Sequence, residues 1–514
     1  MIAVAEKVSK LSLKPQTSLL LNEVGNFFSS QGIEAYIVGG FLRDLLLGRE
    51  TADIDLAITA DALKIAPRMA SALGGRHIPL DKENRVSRLL LAQGTPPARP
   101  KWQIDLSTIT GSIEQDLKRR DFTINALAVD LKETHYHPGQ QAYTDVPVID
   151  PTGGLGDLGQ GVIRAVSEMA FKSDPLRLLR AVRLAAELGF VIDAQTEALI
   201  KNSGHLIAGV ASERSREELA RLLAVPNSEP LWPYLDRLGL ITALIPELAP
   251  AKGVAQPREH TWDVLSHSLR TIAAVDFLLR QGSWQYASQE VLNLVPWSPE
   301  LAQHFGQRVS GSTRRTLTKL AALLHDIAKP QTKMVDQSGR TRFLGHAGEG
   351  ATITVSILKR LRFSGQEIRL VEAMVRHHLR PPQMSQQGEL PSQRAIYRYF
   401  RDSGQAGTET LFLSLADHLA TRGPNLDLAN WREHAELVAY VISQHSRQEE
   451  RVAPAKLVSG HDLISIFGLS PGPKIGQILE AVGEAQASAE ITTRQQALAY
   501  IANLLKSSTG EPGL

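Results

Sequence analysis

The sequence predicts an α+β protein, an α/β head followed by an all-α remainder. Three observations predict it. From about Gly32 to Val166, short β-rich runs alternate with helical stretches. From Pro175 onward apolar residues recur at helical spacing, with few strand candidates before the C-terminus. Between the two regimes stands a glycine-rich turn, Gly153-Gly154-Leu155-Gly156, which closes the head.

In chain order, the first 30 residues read as a helical leader, and the head as 31–166. Its strand candidates are Ala35–Val38, Ile54–Ile58, Ser87–Ala92, Gln103–Leu106 and Leu127–Asp130, each rich in residues that suit a pleated, half-buried surface. Pro96-Pro97 and Pro100 mark a turn within the head. A helical neck and body covers 167–254, and a further helical region covers 255–425. Inside the latter, the polar stretch 281–318 with scattered aromatics reads as an insertion. A helical C-terminal arm occupies 426–514, and 382–394 and the last seven residues read as loop or tail.

The composition narrows the function classes. At 514 residues with 43% hydrophobic content, several domains with substantial cores are expected. No apolar run is long enough to cross a bilayer, and Met1–Gln16 lacks a signal-peptide core. With zero cysteines, disulfides and thiolate metal sites are excluded, and a cytoplasmic location is the default. The net charge of +2 excludes a uniformly basic binder, so a nucleic-acid surface must be a local patch. No membrane association and no obligatory protein partner is evident.

Chemistry first shows in GGFLRDLLLGRETADIDLAI. On a strand, Asp53 and Asp55 share a face while Ile54, Leu56 and Ile58 point to a core. Paired carboxylates repel unless a cation lies between them, and a divalent metal so held is the usual apparatus of phosphoryl or nucleotidyl transfer. The plain alternative is the wet face of an edge strand. Downstream, DLKRRDFTINALA carries Arg119, Arg120 and Asp121, and guanidinium groups suit a triphosphate because they bond phosphate oxygens bidentately. In DPTGGLGDL a tight turn can bring backbone near the site. In SDPLRLLRAVRLAAELGF, Asp174, Arg177, Arg180 and Arg183 recur every three residues and form a polar ridge opposite Leu178, Val182 and Ala185. A solvated helix face capped by Asp174 is the structural alternative. No serine–histidine arrangement suggests a protein nucleophile.

Taken together and in this order, GGFLRD, DID, RRDFTINALA, DPTGGLGDL, DPLRLLRAVR and SERSREEL resemble the class II tRNA nucleotidyltransferase and bacterial poly(A) polymerase superfamily over roughly residues 30–230. The resemblance implies a five-stranded nucleotidyltransferase head, a helical neck, and body and tail regions that grip RNA. It implies Mg²⁺ on Asp53 and Asp55, triphosphate contacts from Gly40 and Arg43, and ribose and phosphate recognition by Arg120 and Asp121. Base-reading hydrogen bonds are implied for Asp174 and Arg177, with Arg180 and Arg183 continuing the nucleotide-binding ridge. Ser173 stands where the family's motif has glutamate. The implied partners are tRNA, CTP and ATP.

Family members that build a whole CCA end carry a flexible loop between the D-x-D and R-R-D motifs. Here Gln103-Ile104-Asp105-Leu106 runs through Ser107–Gly111 directly into Ser112-Ile113-Glu114, leaving no room for it. In the family, a missing loop accompanies enzymes that add two cytidines and stop. CC addition is therefore expected, with full CCA addition next if another segment, such as Gly94–Lys101, substitutes.

A second constellation lies downstream. His325-Asp326 ends an apolar helix, and further ligand candidates are His267, His346, His377 or His378, and Asp417. Nitrogen and carboxylate donors without cysteine suit Mn, Fe, Co, Ni, Zn or Mg. The order H…HD…H…HH…D over roughly 255–425 resembles the HD phosphohydrolase superfamily. That resemblance implies one metal on His267, His325, Asp326 and Asp417, and a second on His346 and His377. It implies hydrolysis of phosphorylated or cyclic-phosphate RNA ends with a transition metal such as Ni, Co or Mn, or else a fold retained as an RNA-holding scaffold. Lys456–Ile501 resembles the C-terminal arm of HD-bearing nucleotidyltransferases, with Lys474 after a Pro-Gly-Pro turn. A poly(A) polymerase, and a metal phosphohydrolase whose head only binds RNA, are the alternative functions.

Overall fold

The computed structural model describes residues 7–92, 100–134, 143–385, 389–450, 457–488 and 490–508. Two compact units form, residues 1–210 with 238–243, and residues 211–237 with 244–514. The expected neck is thus divided, its first part belonging with the head.

In the first unit, strand β1 (Lys7–Ser12) precedes helix α1 (Pro15–Ser30), β2 (Ala35–Val38), α2 (Gly39–Leu46), β3 (Asp53–Ile58) and α3 (Ala62–Ala72). Then come β4 (Gly75–Asp81), β5 (Val86–Ala92), β6 (Pro100–Thr108), α4 (Ile113–Lys118), β7 (Ala128–Asp130), β8 (Tyr143–Val148) and α5 (Gly154–Gln160). Helices α6 (Ala170–Ser173) and α7 (Arg177–Leu188) follow. Six strands make one sheet in the order β4-β5-β6-β3-β2-β7. All five expected strands lie in it. The sixth, β4, replaces the five-stranded expectation. Its residues are mostly exposed at the sheet edge, so it lacks the apolar alternation that marks a half-buried strand.

The leader differs too. Lys7–Ser12 is a strand, paired antiparallel to β8 from Lys7↔Val148 to Ser12↔Tyr143. Its partner lies far along the chain, which no local pattern reveals. Ile54, Leu56 and Ile58 of β3 are buried among Val24, Phe28 and Leu42, as alternation requires.

The second unit is helical. Helix Val264–Leu278 is buried along nearly its whole length, packed against Arg314–Leu324 and Gly407–Arg422. The stretch expected as an insertion is integral to this unit. Trp284 and Phe305 are buried, and Trp297 stacks on Phe305 at 6.2 Å between centroids. Its polarity comes from helix caps and a hairpin, while Trp284 and Phe305 are core and Tyr286 and Trp297 are half-buried. The arm has its own apolar cluster of Val458, Leu463, Val482, Ala485 and Ile501. Among the described residues no helix is long and apolar enough to cross a membrane.

Candidate active site and candidate metal centre

The glycine pair shapes the first site. Gly39 has φ +68°, and a Cβ there would lie 3.0 Å from Asp55 Oδ2 and 3.2 Å from Arg120 Nη1. A side chain would be strained by conformation and crowded by both functional groups. The chain turns here from β2 into α2, and the Phe41 N–H donates to Asp55 Oδ2 at 3.2 Å. Gly40 lies beside the same oxygen, 3.5 Å from its own ideal Cβ position.

Asp53 and Asp55 stand on one face of β3, Asp53 exposed and Asp55 half-buried. Parallel pairing with β6 sets Asp105 beside Asp55. Burial pushes the Asp55 carboxyl above its ordinary value; the Phe41 N–H acts against this, and the Asp105 charge adds to the rise. Asp105 is clamped by Arg88, at 2.7 Å from Nε and 2.8 Å from Nη2. Three carboxylates therefore gather at one corner, Asp105 paired with Arg88 and Asp55 within the field of Arg120 and Arg180, a corner suited to a cation.

Arginines around this corner are held in fixed directions. Arg43 is buried, donating through Nε and Nη2 to Asp44 Oδ1 at 2.9 and 2.8 Å and through Nη1 to Asn125 at 2.9 Å. Arg120 is fixed by buried Asp116, through bonds of 3.1 and 3.0 Å. Asp121 accepts from the Phe122 N–H at 2.8 Å and Asn125 at 3.1 Å, and lies 2.9 Å from Arg180 Nε as an ion pair. Burial works against the Asp121 charge, but Arg180, Asn125 and Arg177 outweigh it and hold the carboxyl below its ordinary value.

The ridge of α7 meets this corner. Arg177 donates to the backbone carbonyls of Arg120 at 3.2 Å and Arg119 at 3.3 Å, and to Ser173 Oγ at 3.4 Å. Ser173 thus contacts Arg177 from the position where the family's motif has glutamate. Asp174 lies in the turn before α7 and accepts from the Leu176 N–H at 3.3 Å, so the helix starts three residues beyond it. Arg183 is buried and pairs with Glu187 at 2.6 Å. The Gly153-Gly154 turn serves packing: a Cβ on Gly154 would fall 2.1 Å from the Thr123 carbonyl, two residues beyond Asp121.

Sequence reasoning missed Asp105, Arg88, Asp116 and Asn125. Asp105 carried a signal, an acid at the same strand phase as Asp55. Gly94–Lys101, the expected substitute for the flexible loop, lies for the most part outside the described residues. The link from β6 to α4 is short, and Ser112 caps α4 in a reciprocal capping box with Gln115.

In the second unit, His267, His325, Asp326, His346, His378 and Asp417 converge. His267 Nε2 is 3.2 Å from His325 Nε2, 3.0 Å from Asp417 Oδ1 and 3.5 Å from Asp326 Oδ2. On the other side of the same carboxylate, Asp326 Oδ1 lies 3.4 Å from His346 Nε2 and 3.8 Å from His378 Nε2. Two metal-sized triads, His267-His325-Asp326 and Asp326-His346-His378, share Asp326.

The imidazoles are set as ligands. The Nδ1 atoms of His325, His346 and His378 face the carbonyls of Ala322, Phe343 and Val375 at 2.9, 2.6 and 2.7 Å. Each Nδ1 therefore donates and each Nε2 turns a lone pair inward. Two such lone pairs, on His346 and His378, lie 3.4 Å apart and suit a cation between them. Burial opposes a charge on His325, yet Asp326 and Asp417 push it up to about 10. The two carboxylates thus favour positive charge at this position, which a divalent ion bound to the Nε2 lone pairs would supply.

His377 does not join this cluster; its neighbour His378 does. Successive helical residues point about 100° apart, and at the end of helix Gly365–His377 only His378 faces Asp326. Sequence spacing left the two open, and burial separates them, with His378 at 1% exposure and His377 partly exposed. Also missed was Lys329, whose ammonium lies 2.6 Å from Asp326 Oδ2 and 2.7 Å from Gln256 Oε1.

Known proteins match the chain over both regions. Residues 35–164 match the family described as Poly A polymerase head domain, 189–252 the Probable RNA and SrmB-binding site of polymerase A, and 297–422 the HD domain. An A-adding tRNA nucleotidyltransferase of Deinococcus radiodurans is 32% identical over 483 residues, covering 93% of this chain and 96% of that protein. A CC-adding tRNA nucleotidyltransferase of Thermus thermophilus is 33% identical over 476 residues, covering 91% and 93%. The fold is shared with a CCA-adding enzyme of Thermotoga maritima solved with tRNA, at TM-score 0.58 and 22% identity over 96% of this chain and 97% of that one. Matched over nearly its whole length by relatives above 30% identity, with the head and HD regions in their order, the chain belongs to the tRNA nucleotidyltransferase family.

Proposed function

We propose that the chain extends the 3′ end of tRNA with cytidines taken from CTP. The observation that carries this is the Asp53–Asp55 face set against the first turn of α2, with Arg120 and Arg180 held in place around it. The RNA 3′-hydroxyl oxygen bonds to the α-phosphorus and its proton passes to water, the bond from that phosphorus to the bridging oxygen breaks, and pyrophosphate leaves. Asp53 and Asp55 would hold Mg²⁺, which supplies a lowered hydroxyl pKa and neutralises charge at the phosphorus. Gly40 and Arg43 serve the triphosphate, Arg120 and Asp121 the ribose and phosphate, and Asp174 and Arg177 the base edge.

Relatives named A-adding and CC-adding match at nearly equal identity, so identity does not choose the product. The short link between β6 and α4 favours CC addition. Sequencing 3′ ends after incubating truncated tRNA with CTP, and with CTP plus ATP, tests it. Termination at CC under both conditions is expected; an added adenosine overturns it.

The second centre is a phosphohydrolase for phosphorylated or cyclic-phosphate RNA ends, removing a block before extension. In support, four inward Nε2 atoms and two carboxylates form a donor set suited to Ni, Co or Mn. His267, His325, Asp326 and Asp417 would hold one ion and Asp326, His346 and His378 a second, supplying a metal-activated water. Assay of a 2′,3′-cyclic-phosphate RNA with each ion tests it, and absence of turnover and of bound metal leaves the region a scaffold.

A further inference from the structure

Helix α4 carries a charge where its apolar spacing calls for a core residue. Ile113 and Leu117 are buried on its inner face, and Asp116 is buried with them, its side chain at 4% exposure. A carboxylate so placed must be paired. It takes two guanidinium groups, from its own i+3 and i+4 neighbours. Oδ1 accepts from Arg119, through Nε at 2.9 Å and also through Nη2. Oδ2 accepts from Arg120 through Nε at 3.1 Å and Nη2 at 3.0 Å. Arg119 Nη2 also donates to the Thr108 carbonyl at the end of β6, at 3.3 Å. The turn that ends α4 is thereby tied down on two sides.

Three groups of the nucleotide site depend on that turn. With Nε and Nη2 given to Asp116, the remaining Arg120 nitrogen, Nη1, faces Gly39. It lies 3.2 Å from the Cβ position that is also 3.0 Å from Asp55 Oδ2. The carbonyls of Arg119 and Arg120, past the end of α4, have no intrahelical partner and lie at the helix's negative end. They accept from the Arg177 guanidinium at 3.3 and 3.2 Å. Its contacts with the Ala170 carbonyl and the neutral Ser173 hydroxyl are longer, at 3.4 Å each. The next residue, Asp121, pairs with Arg180 Nε at 2.9 Å. The ridge of α7 is thus held from the stretch that Asp116 anchors.

We infer that Asp116 is a positioning residue for nucleotide selection: its carboxylate directs Arg120 through the side chain and Arg177 through the turn whose carbonyls it holds in place. Asp116 acts only through these arginines. The inference deepens the nucleotide reading above and rests on it, since it takes Arg120 for the ribose and phosphate and Arg177 for the base edge.

The test is single-nucleotide extension of truncated tRNA by the full chain, with kcat/KM measured for CTP and for UTP. Asp116→Asn keeps the side-chain volume but puts an NH2 group in place of one acceptor oxygen, so it accepts from one arginine and turns a donor on the other. The CTP-to-UTP ratio should fall about fivefold, and the KM for CTP should rise as Arg120 loses its direction. Combined with Arg177→Ala, it should lower the ratio no further than Arg177→Ala alone, because both changes act on one group. Arg119→Ala, at an exposed position that folding tolerates, releases Oδ1 alone and should lower the ratio about threefold. A purely structural role would lower melting temperature and total activity together and leave the ratio as it is. An unchanged ratio in Asp116→Asn or in Arg119→Ala, beside a lowered one in Arg177→Ala, overturns the inference, as does a further loss in the double variant. An unchanged ratio in Arg177→Ala would remove the base-edge reading and the inference with it.

Discussion

The backbone N–H of Phe41 donates to the Oδ2 of Asp55 at 3.2 Å, joining the first turn of α2 to the middle of β3. One oxygen of the carboxylate is thereby fixed by the very turn that holds the glycine pair. The motif and the strand, separated by the poorly patterned stretch Leu47–Ala52, act as one piece of geometry.

Gly39→Ala should therefore damage the site without touching a ligand. A φ of +68° costs an L-residue about 1–2 kcal/mol, and the new methyl would stand 3.0 Å from Asp55 Oδ2. Nucleotide addition should fall at least tenfold while thermal melting shifts by only a few degrees. Wild-type kinetics in Gly39→Ala would show that this turn does not set the carboxylate.

Asp53→Ala or Asp55→Ala should abolish addition while tRNA binding persists. Each removes charge stabilisation needed chiefly in the transition state. A loss of about 10³-fold, or roughly 4 kcal/mol, is expected in single-turnover extension of truncated tRNA. Near-normal extension by either variant would sink the assignment.

Much of this site was legible from sequence because strand alternation forces Asp53 and Asp55 onto one face, whatever surrounds them. The clamp of Asp105 by Arg88 was not legible, because it depends on β5 pairing with β6. Strand β4 escaped for the opposite reason: exposed on the sheet edge, it has no buried face to leave a pattern. Likewise β1 is defined by a partner more than 130 positions away, from Lys7↔Val148 onward. The order of metal ligands along the chain was readable, but the choice between His377 and His378 turns on the helix end that each occupies.

Arg177→Ala should blur nucleotide choice. Arg177 is tied to the carbonyls of Arg119 and Arg120, which fixes the direction of its guanidinium. A site built to hydrogen-bond its substrate rejects mismatches because groups are left unpaired. The CTP-to-UTP discrimination ratio should fall by at least tenfold, whereas Arg183→Ala, which removes the pair with Glu187, should affect stability more than selectivity. Unchanged discrimination in Arg177→Ala would leave α7 a purely structural helix.

Asp121 links the site to acid stability. Its folded-state carboxyl lies below the ordinary value, so its contribution is present above the unfolded pKa of about 3.9 and disappears as pH falls through the folded one. Asp121→Asn should destabilise the protein at pH 7. The gap to wild type should narrow steadily below about pH 4. A gap independent of pH in urea titrations would show that Asp121 acts through its hydrogen bonds rather than its charge.

The last prediction separates two adjacent histidines. Asp326 gives Oδ2 to the His267–His325 side and Oδ1 to the His346–His378 side, so each triad loses its ion by a different substitution. His378→Ala should lower metal content, measured by elemental analysis after loading with Mn²⁺ or Ni²⁺, by about one equivalent, since one of three ligands in a triad is lost. His377→Ala should leave it unchanged, because that side chain points away from Asp326. Asp326→Ala should empty both positions, and cyclic-phosphate hydrolysis should vanish with it. Nucleotide addition should persist in all three, since the carboxylates of β3 are an independent ligand set. Equal metal loss from His377→Ala and His378→Ala would contradict the helix-end geometry, and full metal content in Asp326→Ala would remove the shared carboxylate from the centre altogether.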